Sequence, residues 1–140
     1  MHLVFGRDFE VYAWISKRFG RSVALMHQAI GIGDNYGNMV GAASLHDFNG
    51  SNVELVYWGP ARLSLSRQIA RYCFEGLKVN RVTARTPRGN ELVKRGLPKL
   101  GFQYEGTLRH YYGPYKRDDA ILFGLLRKDA QRLLKQEMGR

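Results

Sequence analysis

Apolar residues recur at helical spacing between Asp8 and Phe19, where Phe9, Tyr12, Ile15 and Phe19 share a side and Gly20 follows as a stop. This predicts an amphipathic helix. Ser22 to Ile30 and Met39 to Leu45 read as strands, with Gly31-Ile32-Gly33-Asp34-Asn35-Tyr36-Gly37-Asn38 between them as the turn of a hairpin. No helix follows those glycines to aim its amides at an anion, so they read as a turn and not as a phosphate cradle. Asn52 to Trp58 is a further strand. After Gly59-Pro60, Leu65, Ile69, Cys73 and Leu77 recur on one helical face. Arg81 to Arg85 reads as a strand, Asn90 to Leu100 as a short helix, Phe102 to Tyr112 and Ala120 to Leu126 as strands, and a polar tail helix begins at Lys128. The order is helix, hairpin, strand, helix, strand, helix, strand, strand. With no repeat or linker, it predicts a single α/β domain over 1–140, a mixed and mainly antiparallel sheet flanked by helices.

Composition narrows the classes. A chain of 140 residues with 44% hydrophobic content can bury one core. Its formal net charge of +10 calls for an anionic partner, and arginine outnumbers lysine, which favours paired contacts to phosphate. The one cysteine, Cys73, excludes an intrachain disulfide and fits a reducing cytoplasm; its helical position reads as core. His2, His27, His46 and His110 are scattered, without the short spacing of metal ligands. Neither a Gly-x-Ser-x-Gly elbow nor a Walker loop occurs, and no apolar run is long enough for a bilayer, so a soluble protein is expected.

One stretch carries a resemblance. Asn90-Glu91-Leu92-Val93-Lys94-Arg95-Gly96-Leu97-Pro98-Lys99-Leu100-Gly101-Phe102 is an Asn-opened basic helix ended by Gly-Phe, and Glu105-Gly106-Thr107-Leu108-Arg109 follows it. Together with Tyr72-Cys73-Phe74, Asn80 to Ala84 and Asp119 to Arg127, this resembles the GCN5-related N-acetyltransferase (GNAT) superfamily from Glu54 to Asp129. The similarity is strongest to small members common in bacteriophage genomes. It implies an acetyl-CoA-dependent enzyme that transfers an acetyl group to an amine by direct attack.

The resemblance places the acyl-CoA pyrophosphate at the Gly59 to Ser66 turn, where helix-start amides point at anions. Arg62 adds charge there, and Ser64 and Ser66 add hydroxyl donors. Val56, Tyr57, Trp58 and Gly59 belong to the strand end that lies along the cofactor, with strand N–H groups around Val56 to Trp58 stabilising an oxyanion. Asn90 matches the cofactor-side Asn, and it also suits a helix cap. The chain departs from the family in lacking the Gln/Arg-x-x-Gly-x-Gly/Ala loop, and it carries Leu97 where many relatives carry a tyrosine acid. Glu54 is the first candidate general base, His46 the alternative, and Tyr57, Tyr104 and Tyr112 are candidate replacement acids.

Other readings use the same basic surface. Arg67, Arg71 and Lys78 can line one helical face as a nucleic-acid contact, and Arg109 to Arg117 interleaves cations with tyrosines that stack on single-stranded bases. The plainer alternatives are a solvated helix face and a tyrosine-rich strand buried against the core. A third reading is a noncatalytic interaction protein, with a homodimer formed through its terminal strands.

Overall fold

The computed structural model describes residues 1–20, 27–59 and 62–131. In chain order the elements are β1 (His2–Val4), α1 (Asp8–Phe19), β2 (Gln28–Gly33), β3 (Met39–His46), β4 (Asn52–Trp58) and α2 (Leu63–Arg71), which runs into a π turn (Tyr72–Gly76). There follow β5 (Arg81–Pro87), α3 (Glu91–Lys99), β6 (Gln103–Leu108), a 3-10 turn (Lys116–Asp118) and β7 (Ala120–Leu126). The strands form one seven-stranded sheet in the order β1-β2-β3-β4-β5-β7-β6. Every neighbouring pair is antiparallel except β4 and β5, which α2 connects as a crossover.

Alternation along the strands gives the sheet two unlike faces. Val53 and Leu55 of β4, Val82 and Ala84 of β5, and Ile121, Phe123 and Leu125 of β7 pack on Ile69, Cys73 and Phe74 of the α2 arm and on Leu97 and Leu100 of α3. Fully burying a side chain of this size contributes about 1.5–3 kcal/mol, so this cluster supplies most of the core's stabilisation. On the opposite face, Val11 and Ile15 of α1 cover Ala29 and Ala42 and meet Trp58. The Asp8 carboxylate accepts from Ala29 N at 3.1 Å, tying the start of α1 to β2. The π turn is held by Arg127, whose Nη2 donates to Phe74 O at 3.1 Å and Val79 O at 2.6 Å.

Several expectations change. The α1 span is as predicted and Gly20 closes it at φ 64, but the buried stripe is Val11 and Ile15, while Phe9 is 91% exposed. β1 has no counterpart in the predicted order. Its pairing with β2 explains why Gly31 and Gly33 are strand residues and not turn: a Cβ on Gly31 would stand 3.2 Å from both Met39 and Val11 side chains, and one on Gly33 3.1 Å from the His2 ring. The turn itself is Asp34 to Asn38, where Asp34 Oδ1 accepts from Tyr36 N and Asn38 N, each at 2.9 Å. The predicted strand from Phe102 to Tyr112 stops at Leu108. Beyond it His110 takes φ 55, its N donates to Asp119 Oδ1 at 2.8 Å, and Tyr112 N donates to Asp118 O, so the tyrosine-rich segment is a loop with Tyr111 and Tyr115 exposed. Residues 22–26 of the predicted first hairpin strand, Pro60 of the β4–α2 turn, and the tail helix past 131 lie outside the described residues.

Candidate active site

Parallel pairing of β4 with β5 runs from Asn52↔Arg81 to Leu55↔Ala84. β4 continues to Trp58 and β5 to Pro87, so beyond that last pair the two strands part. Val56, Tyr57 and Trp58 remain paired with Ser44, Ala43 and Ala42 of β3, and the edge of β4 that turns toward β5 has no strand partner there. A wedge in the middle of the sheet results, closed at one end by Glu54 and Arg85.

Glu54 is 7% exposed and stands opposite His46 on β3 and Thr83 on β5. Arg85 Nη2 donates to its Oε2 at 3.1 Å. Burial pushes the Glu54 carboxyl above its ordinary range, the Arg85 charge opposes that shift, and the neighbouring Asp47 carboxylate reinforces it. Burial likewise lowers His46, with Asp47 opposing and Arg85 assisting. The His46 ring also has a defined partner: its Nε2 lies 2.7 Å from Ser44 Oγ, which accepts from Trp58 Nε1 at 2.8 Å. Ser44 has one hydroxyl proton, and with Trp58 donating to its oxygen that proton is directed at His46 Nε2. A neutral His46 with the proton on Nδ1 satisfies the chain.

The α2 end of the wedge is electropositive. No acidic residue lies in the first turn of α2, and its N-cap, Arg62, is extended, exposed and makes no side-chain cap bond. Ser64 is exposed. Ser66 is turned inward: its hydroxyl donates to Arg62 O at 3.0 Å and lies 3.1 Å from the Tyr57 hydroxyl, whose phenol burial shifts upward. Gly59 takes φ 88 where a Cβ would stand 3.0 Å from Val40 O, so the close passage of β4's end over β3 requires glycine. Asn90 caps α3 by accepting from Val93 N at 3.4 Å, and Leu97 lies in the core.

Other candidates lie apart. Arg67 and Arg71 are four residues apart on α2, with Arg71 Nε 4.0 Å from Glu75, whereas Lys78 falls past the π turn at φ 58. Tyr112 is half-buried in the β6–β7 loop, its ring edge-on to Tyr111 at 4.9 Å. Tyr104 hydroxyl meets Thr107 Oγ1 at 2.7 Å on β6. Cys73 is buried and its thiol is pushed up to about 12 by burial, leaving it no nucleophilic character. Among the described residues no group of three or more His, Cys, Asp or Glu is placed to hold a metal, and no helix is long and apolar enough to cross a membrane.

The residues that pattern reading passed over are Arg85, Arg81, Thr83 and Asp47, while Tyr111, expected in the tyrosine-rich segment, stands against Arg85. β5 alternates Arg81, Thr83, Arg85 against Val82, Ala84, Thr86, and that alternation was the available signal. Its polar side lies on the same sheet face as α1, beyond the Ala29 and Ala42 region that α1 covers. Arg81 donates from Nε to Thr83 Oγ1 and from both terminal nitrogens to Glu105, and Thr83 donates to Asn52 Oδ1 at 2.6 Å.

No family model matches the chain, and no curated protein matches it in sequence. Solved structures do match. A crystal structure of a probable acetyltransferase is 26% identical, with a TM-score of 0.63, over 72% of this chain and 62% of its own. A GCN5-related N-acetyltransferase from Brucella melitensis is 21% identical, with a TM-score of 0.65, over 76% of this chain and 53% of its own. A variant of the spermidine N-acetyltransferase SpeG from Vibrio cholerae is 16% identical, with a TM-score of 0.67, over 89% of this chain and 79% of its own. This chain therefore spans a little over half to about four fifths of the proteins it matches. The sheet order, the single parallel pair and the flanking helices together give the chain the GCN5-related N-acetyltransferase fold.

Proposed function

We propose that the protein is an acetyl-CoA-dependent N-acetyltransferase acting on an amine, related to the small phage-type members and working in the cytoplasm. The observation that carries this reading is the wedge between β4 and β5 with a buried carboxylate, Glu54, at its closed end. Acetyl-CoA supplies the acetyl group as a thioester. Its phosphates fit the α2 start, where Arg62 is exposed and makes no side-chain cap bond and the first turn carries no acidic residue. Ser64 adds a donor there. Asn90 is assigned to the pantetheine side while it caps α3, and the unpaired edge of β4 at Val56 to Trp58 is assigned to the polar atoms of the acyl region, including the carbonyl oxygen.

Glu54 is the general base. It takes the proton that the amine loses as the nitrogen–carbonyl bond forms, and the carbon–sulfur bond breaks with the electron pair leaving on sulfur. His46, kept neutral by burial, is the alternative acceptor at Nε2, its unprotonated nitrogen, which gives up the Ser44 hydroxyl to take the amine proton. Tyr57 and Tyr112 are the candidates to return a proton to sulfur. Transfer is direct, since the thiol of Cys73 is buried and raised. Calorimetric titration with CoA tests the binding half: Arg62→Ala and Asn90→Ala each weaken affinity, and unchanged affinity in both removes these assignments.

A second reading keeps the same catalytic site and adds a polymeric partner. Tyr111 and Tyr115 are exposed on the β6–β7 loop, Arg117 lies over the Tyr115 ring at 4.6 Å, and Lys116 adjoins them. Such a surface suits stacking on single-stranded nucleic acid with phosphate contacts from Arg67, Arg71 and Lys78.

A further inference from the structure

We propose that the acceptor carries an oxyanion, a carboxylate or phosphate, within a few atoms of its amine, and that Arg85 receives this oxyanion beside Glu54. The proposal rests on the acetyltransferase reading and names the acceptor class for that site.

Arg81 and Arg85 share a strand and a face but differ in how well they are satisfied. Arg81 has all three nitrogens engaged, two on Glu105 and one on Thr83. Arg85 touches Glu54 through Nη2 at 3.1 Å and the Tyr111 hydroxyl through Nη1, and its Nε is enclosed without a hydrogen-bond partner. A guanidinium presents five N–H donors in a planar fork that matches a two-oxygen anion, whereas Arg85 engages a single oxygen of Glu54 and has no two-point carboxylate contact among the described residues. Its position is one residue past the last β4–β5 pair, at the closed end of the wedge.

Two consequences point the same way. While Glu54 is paired to Arg85, one of its oxygens is occupied and its basicity is reduced, which works against a general base. An incoming oxyanion takes over the guanidinium, releases that oxygen and leaves it facing the adjoining amine. A purely cationic acceptor has no group to exchange for Glu54 and brings its charge against Arg85 in a chain of net charge +10. Tyr111, whose ring centroid lies 4.6 Å from the Arg85 guanidinium carbon, belongs to an exposed loop and forms the outer wall of the exchange site.

The test compares matched amines with acetyl-CoA: L-phenylalanine against phenethylamine, O-phosphoethanolamine against ethanolamine, and 1,4-diaminobutane as a dication. Wild-type protein is expected to prefer the anionic member of at least one pair by about tenfold or more in kcat/KM, the usual worth of a charge-assisted contact. The pair with the larger preference tells carboxylate from phosphate. In Arg85→Gln the ratio falls toward one, and Arg85→Lys, which keeps the charge without the fork, retains part of it. Equal thermal midpoints establish that the variants fold. A wild-type preference for the dication, or an Arg85→Gln preference as large as wild type, overturns the proposal. If no amine is acetylated, the transferase reading fails by itself. Calorimetry with N-acetyl-L-phenylalanine and O-phosphoethanolamine then decides the anion site: about tenfold weaker binding of either in Arg85→Gln supports it, and equal or absent binding of both overturns it.

Discussion

Glu54→Gln isolates the base from everything else at the wedge. The amide keeps an oxygen for Arg85 Nη2, so the pair at 3.1 Å loses its charge but not its hydrogen bond. With both side chains partly shielded, the change in stability is about 1 kcal/mol, well short of the cost of a stranded charge. Catalysis responds far more. Positioned general-base assistance is worth about 10²–10⁴-fold, so kcat/KM for an amine at neutral pH falls by about a hundredfold or more while acetyl-CoA affinity is retained. The pH profile is the sharper readout. Burial holds the Glu54 carboxyl above its ordinary 4.5, so wild-type rates rise with pH through an inflection above that value. In the variant that inflection disappears and activity returns only at alkaline pH, where the amine loses its proton in solution. Stability carries a matching sign: between 4.5 and the raised native value the folded state binds more protons than the unfolded one, so wild-type stability declines as pH rises through that window, and the variant loses this decline. Thiol release from acetyl-CoA across pH, with urea midpoints in parallel, measures both. Unaltered turnover with the same inflection refutes Glu54 as the base and leaves His46 or an unassisted amine.

Gly59→Ala places a Cβ 3.0 Å from Val40 O at φ 88, so the thermal midpoint should drop by the equivalent of more than about 1 kcal/mol, with CoA affinity falling as the strand end shifts. Asp119 is held below the ordinary carboxylate range, first by the backbone N–H of His110 and then by Arg88. Its stabilisation is complete above 3.8 and is lost as pH falls through the depressed native value, so Asp119→Asn should flatten the acid limb of a stability profile measured by circular dichroism. Single-stranded oligonucleotide binding should weaken with salt at a logarithmic slope of about −0.7 per phosphate contact. Arg67→Ala and Arg71→Ala should reduce that slope and Tyr115→Ala should lower affinity without altering it, whereas no binding at low salt rejects the nucleic-acid partner.

The sequence resolved elements wherever one local signal dominated. α1 ends at Gly20 because only a left-handed residue closes it so tightly, and Asn90 begins α3 because its side chain reaches Val93 N. Errors arose where tertiary contacts override local preference. Gly31 and Gly33 look like turn residues, yet β1 and α1 approach so closely that a Cβ there would press on neighbouring side chains at 3.1–3.2 Å, which favours glycine within the strand. The run from Arg109 to Tyr112 carries strand-forming tyrosines, but Asp119 draws His110 N out of the ladder. At the site, Glu54 was singled out through the family resemblance, as a carboxylate on the strand where some relatives place one. Its partner Arg85 lies 31 residues away and is brought beside it only by the parallel pairing, which no local pattern encodes.

Mass spectrometry of a reaction containing the protein, acetyl-CoA and a mixture of anionic, neutral and cationic primary amines decides whether the wedge transfers an acetyl group. An N-acetylated amine should appear in equal amount with free CoA, dependent on the protein and strongly reduced in Glu54→Gln. A folded protein that acetylates no amine in the mixture overturns the transferase reading.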